Sequence, residues 1–351
     1  MEVEKTIRIA LIGCGGMAAQ FRHIYTSIPG AELTMVVDTN EQLCRQVAAD
    51  LQIARWSTTF EDALSADIDM LDISTPNFMH ASQAIAALEA GKHVLLQKPM
   101  TTTVEEAEAI VETARRAGKT AGMYMSYFDN PIYYDIKKMV DAGLIGQIAS
   151  VYCRGASTHG IKAPPGTWRS SLEKTGGGAF IQLAVHPMNM AQWLIGDTIR
   201  DVMAMSHNRR SPNIGGDDMT VTVCYFERGA MGTLEASYCS HDYILKLYGT
   251  AGNITVTNNN QVDLMLNDTF IGETFAYNQP QTKQSYTFPN FTMTKINMAH
   301  NPYDQHVAFV QAIQAGRPAP IPVEVGLRDM RLVDAVYRSA KEKRLVEVGI
   351  S

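Results

Sequence analysis

Between Ile7 and Met125 the chain alternates short apolar runs with stretches whose apolar residues recur at helical spacing, and this alternation constrains the fold most. The strand candidates are Ile7 to Ile12, Leu33 to Val37, Met70 to Ser74, His93 to Gln97 and Thr120 to Met125. Helices are expected near Met17 to Ser27, Glu41 to Leu51, His80 to Ala90 and Val104 to Ala117. The last opens with Thr103-Val104-Glu105-Glu106, a capping box in which the threonine and glutamate side chains satisfy free first-turn amides. Strand then helix, repeated, is the signature of successive βαβ units and of a doubly wound parallel sheet.

Beyond about residue 145 the texture changes. Longer β-rich runs appear at Ile148 to Arg154, Thr220 to Phe226, Met231 to Tyr238 and Tyr243 to Tyr248, interrupted by one helical stretch from Ala179 to Ile195. Two further helices are expected near Asp304 to Ala315 and Gly326 to Lys343, and the polar segments 258–260 and 278–283 read as surface hairpins. Strand runs with segregated helices indicate an α+β domain built on an open, mostly antiparallel sheet. A chain of 351 residues exceeds what one core usually serves, so residues 1–125 and 126–351 are expected to form separate domains.

A net charge of −6, with no basic cluster along the chain, argues against the concentrated basic surface that nucleic acid or an anionic membrane requires. Five cysteines without a C-x-x-C pair suit reduced thiols better than a disulfide framework or a metal site, and no apolar run reaches the length of a membrane span. Lys5 and Arg8 before an apolar run loosely imitate a signal peptide, but Glu2, Glu4 and Gly13 break the imitation. A cytoplasmic, soluble protein is the expectation.

The turn Gly13-Cys14-Gly15-Gly16-Met17-Ala18 follows the first strand and matches G-x-G-x-x-A. Gly13 permits a tight turn, Gly15 lets the backbone approach a pyrophosphate, and Ala18 lets helix and strand pack closely. Gly16 and Met17 complete the stretch whose amides would face the phosphates. Asp38 ends the second strand about 20 residues on, where a carboxylate binds the adenosine ribose hydroxyls. Its simpler role would be to cap the following helix. Asp38 would repel a 2′-phosphate and Thr39-Asn40-Glu41 offers no cation for one, which favours NAD over NADP.

Four segments together resemble the glucose–fructose oxidoreductase, inositol dehydrogenase and MocA family: the glycine turn, Ser74-Thr75-Pro76-Asn77 with His80, Gln97-Lys98-Pro99, and the stretch from Gly176-Gly177-Gly178-Ala179 to His186. Gly316-Arg317-Pro318 before a helix adds to the likeness, which covers nearly the whole chain. The resemblance implies a Rossmann domain and a C-terminal domain that builds the substrate pocket and makes subunit contacts through its sheet, giving a homodimer or homotetramer. It implies nucleotide contacts at Thr75, Pro76, Asn77, His80, Gln97 and Lys98. It also implies acid–base roles for Lys98 and His186. Gln97 stands where the family usually carries Glu, and Gln182 where it usually carries Asp.

Those departures bear on chemistry, because alcohol oxidation needs a base and an amide cannot serve as one. Gln182, one helical turn before His186, can orient the ring or the substrate but brings no charge. Lys98 at the ligand-binding edge of a parallel sheet outweighs the reading of a solvated strand-end lysine, and the bond before Pro99 is one that tolerates the cis form cheaply. The loop from Thr158 to Arg169 offers His159, Trp168 and Arg169 for a sugar, and Tyr127, Asp129 and Asn130 are further polar candidates, with His241 and Asp242 weaker ones. Met188 and Trp193 read as core. The leading expectation is an NAD-dependent oxidoreductase of a sugar, glycoside or cyclitol. The alternatives are a glycoside hydrolase or lyase that retains NAD and works by transient oxidation and elimination, and a non-catalytic NAD-binding sensor.

Overall fold

A computed structural model describes residues 6–257, 261–266, 282–287 and 304–349. Two compact units emerge: residues 6–129 with 304–330, and residues 130–257, 261–266, 282–287 with 331–349.

The first unit carries six parallel strands: β1 Ile7–Ile12, β2 Ala31–Val37, β3 Arg55–Ser57, β4 Met70–Ile73, β5 His93–Gln97 and β6 Ala121–Tyr124. Their spatial order is β3-β2-β1-β4-β5-β6, the dinucleotide-binding order, with its reversal between β1 and β4. The interior strands are apolar on both faces because helices cover both: Ile9, Leu11, Met70, Leu71, Val94 and Leu96 are almost fully buried. The helix Val104–Ala117 begins at Thr103, whose hydroxyl accepts from the Glu106 amide; the Glu106 carboxylate answers the amide and hydroxyl of Thr102, one residue earlier than the expected box.

Two local expectations are corrected. The helix expected from Met17 to Ser27 is one α-turn, Ala18–Phe21, continued by a 3₁₀ turn, Arg22–Thr26, with Phe21, Ile24 and Tyr25 buried in the core. Strand β3 and the short helix Glu61–Ser65 were not expected; β3 has three residues, two of them exposed, so it has no apolar run to reveal it.

The second unit holds β7 Ile148–Ala156, β8 Ile199–His207, β9 Met219–Phe226, β10 Met231–Ser237, β11 Asp242–Gly249, β12 Gly252–Thr257, β13 Gln261–Leu266, β14 Thr282–Thr287 and β15 Val346–Glu347. They form one sheet ordered β14-β13-β12-β11-β7-β10-β9-β8-β15, antiparallel except for the pair β7 and β10. The expected hairpins at 258–260 and 278–283 lie outside the described residues, except that Thr282 and Lys283 open β14. Along β8 and β9 buried and exposed residues alternate, so one sheet face is covered and the other is open. The helix Pro131–Asp141 was not expected, although Asn130 caps it by accepting from the Ile132 amide and Pro131 supplies the first-turn residue that needs no N–H donor. The helix expected from Ala179 to Ile195 opens as a π-turn, Phe180–Ala184, and continues as Val185–Ile195.

Candidate functional site

In the first unit, the carboxyl ends of β1, β2, β4 and β5 converge at the reversal of strand order, where open parallel sheets bind ligands. Gly13 has φ +90°, and a Cβ there would lie 2.8 Å from the Ser74 carbonyl oxygen, so only glycine serves. Gly15 and Gly16 are exposed, and a Cβ on either would meet nothing within 4 Å. Their backbone therefore faces open space of the kind a diphosphate needs. Met17 is half-buried, and Ala18 is buried against the core. Because the helix behind this turn is so short, free amides rather than a long helix dipole are what it offers an anion.

Asp38 sits immediately after β2, half-buried, with Oδ2 accepting from the Cys14 amide at 2.8 Å and Oδ1 from the Asn40 amide at 2.8 Å. It does not cap the next helix; Asn40 does, accepting from the Leu43 amide. Both Asp38 oxygens keep lone pairs for further donors, and the carboxylate is locked beside the glycine turn.

The second half of this edge is the Lys98 turn. The Lys98–Pro99 peptide is cis, and Lys98 is half-buried. The Gln97 side chain is 4% exposed; its Oε1 accepts from the Lys98 amide at 3.0 Å, while its Nε2 is buried with no hydrogen-bond acceptor among the described residues. A buried N–H group left without an acceptor costs about 1–3 kcal/mol, so this donor fits a site completed by a ligand. Thr75 and Pro76 are half-buried at the head of the helix Asn77–Glu89, with the Thr75 hydroxyl donating to Gln83 Oε1 at 2.6 Å; Asn77 is buried.

His80, an expected nucleotide contact, is fully buried, with Nδ1 2.9 Å from the Pro99 carbonyl and Nε2 2.9 Å from the Thr75 carbonyl. Burial pushes its pKa down despite these carbonyls, and Lys98 adds to the effect. A ring with no open surface braces the two turns against each other.

In the second unit, the helical stretch from Phe180 to Gln192 is buried except at Gln182, Leu183 and His186, which are half-buried. The two polar positions singled out from the sequence are therefore the polar positions this helix leaves open. Met188 is fully buried as expected; Trp193 is half-buried and packs edge-on against Tyr134, ring centroids 5.2 Å apart. Trp168 is half-buried and Arg169 exposed, the guanidinium lying 4.5 Å from the Trp168 ring centre, and His159 and His241 are exposed. Asp242 is half-buried, 3.6 Å from Arg154.

Three candidates for polar contact have other duties or settings. Asp129 is 2% exposed and accepts from the Tyr124 hydroxyl at 2.9 Å and from Gln305 Nε2 at 3.0 Å, so its oxygens are engaged within the core. Asn130 is the buried helix cap already described. Tyr127 is half-buried, and burial raises its phenol pKa to about 12.

Two groupings carry no sequence signal. In the first unit Asp72, Asp129 and Asp304 surround His306, all buried, with Tyr25 bonded to Asp72. His306 lies 3.7 Å from Asp72 and 3.5 Å from Asp304, and its ring stacks on Phe21 and Tyr124. In the second unit, Asp217 and Tyr337 meet the start of the helix that bears Gln182 and His186. Burial first, and then the neighbouring Asp217, holds the Tyr337 phenol protonated well above the usual range.

Comparison with known proteins agrees with this geometry. Residues 7–125 match an oxidoreductase family described by its NAD-binding Rossmann fold, and residues 137–348 match the C-terminal α/β domain of the same family, GFO_IDH_MocA. The scyllo-inositol 2-dehydrogenase (NAD(+)) of Bacillus subtilis is 33% identical over 263 residues, 72% of this chain and 75% of that protein. A 2,7-anhydro-N-acetylneuraminate hydratase of Escherichia coli is 26% identical over 71% of this chain and 67% of its own. A solved levoglucosan dehydrogenase, in complex with NADH and levoglucosan, superposes with TM-score 0.87 at 22% identity, covering 98% of this chain and all of that one. At that identity the likeness concerns the fold.

Proposed function

The chain belongs to the GFO_IDH_MocA oxidoreductase family, and from that premise we propose that it is an NAD-dependent oxidoreductase acting on a ring hydroxyl, or the matching ketone, of a sugar, glycoside or cyclitol. The observation that carries this reading is the placing of an open glycine turn and Lys98 at the reversal of one parallel sheet. In the turn from Gly13 to Ala18, Gly15, Gly16 and Met17 would face the pyrophosphate while Gly13 shapes the turn and Ala18 packs it on the core, and Asp38 would receive the adenosine ribose. Thr75, Pro76, Asn77 and the unmet Gln97 amide would line the rest of the nucleotide. Bound nicotinamide would supply the hydride acceptor or donor. Lys98 and His186 would hold and move the hydroxyl proton, with Gln182 orienting the ring or the substrate. Tyr127, His159, Trp168 and Arg169 are the proposed substrate contacts, within a C-terminal part, residues 126–351, that also makes subunit contacts.

The open face of the second sheet supports a homodimer or homotetramer. Met203, Met205, Val223 and Met231 are exposed, Met205 at 82%, and line that face with Val221 and Tyr225. Contiguous exposed apolar surface of this kind marks an interaction site.

A second reading, a hydrolase or lyase that oxidises a ring hydroxyl transiently, eliminates and re-reduces, is favoured by one finding: a hydratase stands among the relatives. Incubating the protein with NAD and a panel of inositols, free sugars, anhydrosugars and aryl glycosides, while following NADH and released aglycone, separates the two. Net NADH supports the oxidoreductase, and aglycone without net NADH supports the second reading. Nucleotide binding with neither product refutes both and leaves a sensor.

A further inference from the structure

We propose that Asp217 and Tyr337 are a positioning pair for the proposed reaction, holding the π-turn Phe180–Ala184 so that Gln182 and His186 keep their mutual orientation. The catalytic meaning of this inference rests on the oxidoreductase reading; its structural content does not.

An α-helix leaves its first four N–H groups without intrahelical acceptors. Here two residues answer four consecutive amides. Gly178 N donates to Asp217 Oδ1 at 2.9 Å and to the Tyr337 hydroxyl at 3.2 Å. Ala179 N donates to the Asp217 carbonyl at 2.7 Å, Phe180 N to Asp217 Oδ2 at 3.0 Å and Ile181 N to the Tyr337 hydroxyl at 3.3 Å. Tyr337 donates its own proton to Asp217 Oδ1 at 2.7 Å, and Thr220 donates to Oδ2 at 2.8 Å, so the carboxylate is saturated and immobile. All of these residues belong to the second unit.

The glycine run Gly176-Gly177-Gly178 finds its reason here. A Cβ on Gly177 would overlap the Tyr337 ring and hydroxyl, and one on Gly178 would overlap the Asp217 backbone. The run is therefore needed for close approach by the clamp at its last two positions.

The turn that follows is π-helical, and a π-turn holds one residue more than the α-turn it replaces. One residue is about 100° of rotation in an α-helix. Gln182 lies inside the π-turn and His186 in the α-helix beyond it, so their relative facing depends on the extra residue being kept. The amides of Gly178 and Phe180 are held by charge-assisted bonds and those of Ala179 and Ile181 by neutral ones, so the start of the segment is fixed to Asp217 and Tyr337 and cannot turn freely to rewind as regular α-helix. If the clamp is released and the π-turn rewinds, Gln182 stays one helical turn before His186 but turns relative to it by part of the angle that one residue spans.

The test compares Asp217→Asn and Tyr337→Phe with Gln182→Ala, alone and combined as D217N/Q182A. With whichever polyol the wild type oxidises, D217N is expected to lower kcat about tenfold with NADH affinity within about twofold, and the double variant to be no slower than Q182A. Wild-type kcat in both clamp variants, or losses that multiply in the double variant, would overturn the proposal. If D217N does not fold, Y337F, which removes the phenol but keeps the ring, carries the same comparison. If the wild type oxidises nothing, the oxidoreductase reading fails, and the clamp is decided by NMR. The His186 ring-proton signals, assigned by their loss in His186→Asn, should move in the clamp variants as they do in Q182A. Unmoved His186 signals would overturn the clamp.

Discussion

Replacing His306 with Gln should destabilise the first unit through the charge it leaves behind. His306 is buried among Asp72, Asp129 and Asp304, with two carboxylates within 3.7 Å. Burial opposes its charge, but Asp304, Asp72 and Asp129 together outweigh burial and raise its pKa above 6.5. Burial raises the pKa of Asp72 and Asp129, against the pull of His306. Breaking a buried ion pair from one side costs about 3–5 kcal/mol because the remaining charge stays dry. Losing the ring's stacking on Phe21 and Tyr124 adds about 0.5–1.5 kcal/mol for each contact. The expected loss is about 4 kcal/mol or more, largely insensitive to salt because the groups are shielded from solvent.

The pH dependence has a definite sign. A histidine with a raised folded pKa contributes stability that is complete below its unfolded value of 6.5 and is lost as pH rises through the folded value. Asp72 and Asp129, whose folded pKa values are also raised, add a loss in the same direction at lower pH. Urea unfolding across a pH series should therefore show wild-type stability falling above pH 6.5, and His306→Gln should flatten that fall. Asp72→Asn in the same background should recover part of the loss by removing a stranded charge. A loss below about 1 kcal/mol, or an unchanged alkaline slope, would refute this account of the cluster.

Asp38→Ala should weaken NADH binding at least about tenfold by calorimetry, since the carboxylate both orders the Cys14 and Asn40 amides and would bind ribose; unchanged affinity would remove Asp38 from the site. Gln182→Asp should move the alkaline-going limb of the pH–rate profile if His186 is the base, because a carboxylate nearby favours imidazolium; a profile that stays put would assign the base to Lys98. Met205→Asp should shift the protein to a smaller species in sedimentation or light scattering while leaving NADH affinity intact, since Met205 is 82% exposed on the open sheet face; an unchanged mass would put subunit contacts elsewhere.

Much of the first unit was legible because its signals are local. Strands β1 and β5 fall where the apolar runs lie, and the glycine turn, Asp38 and Lys98 share one sheet edge because each ends or follows a strand. Where the reading failed, the deciding contact was distant in sequence. Asp129 looked like a pocket residue but answers Gln305, and His80 looked like a nucleotide contact but spans Thr75 and Pro99. Gly177 and Gly178 looked like part of a family stretch, and their need for small size comes from Asp217 and Tyr337.

By itself the sequence determined the class of fold, the nucleotide edge and the polar positions left open on one helix, because period, glycine and strand-end chemistry act over a few residues. Only the tertiary structure decided which polar groups are spent on the fold. A buried carboxylate or imidazole must find its partners wherever the chain returns. At Asp72, His306, Asp217 and Tyr337 those partners lie far away in sequence.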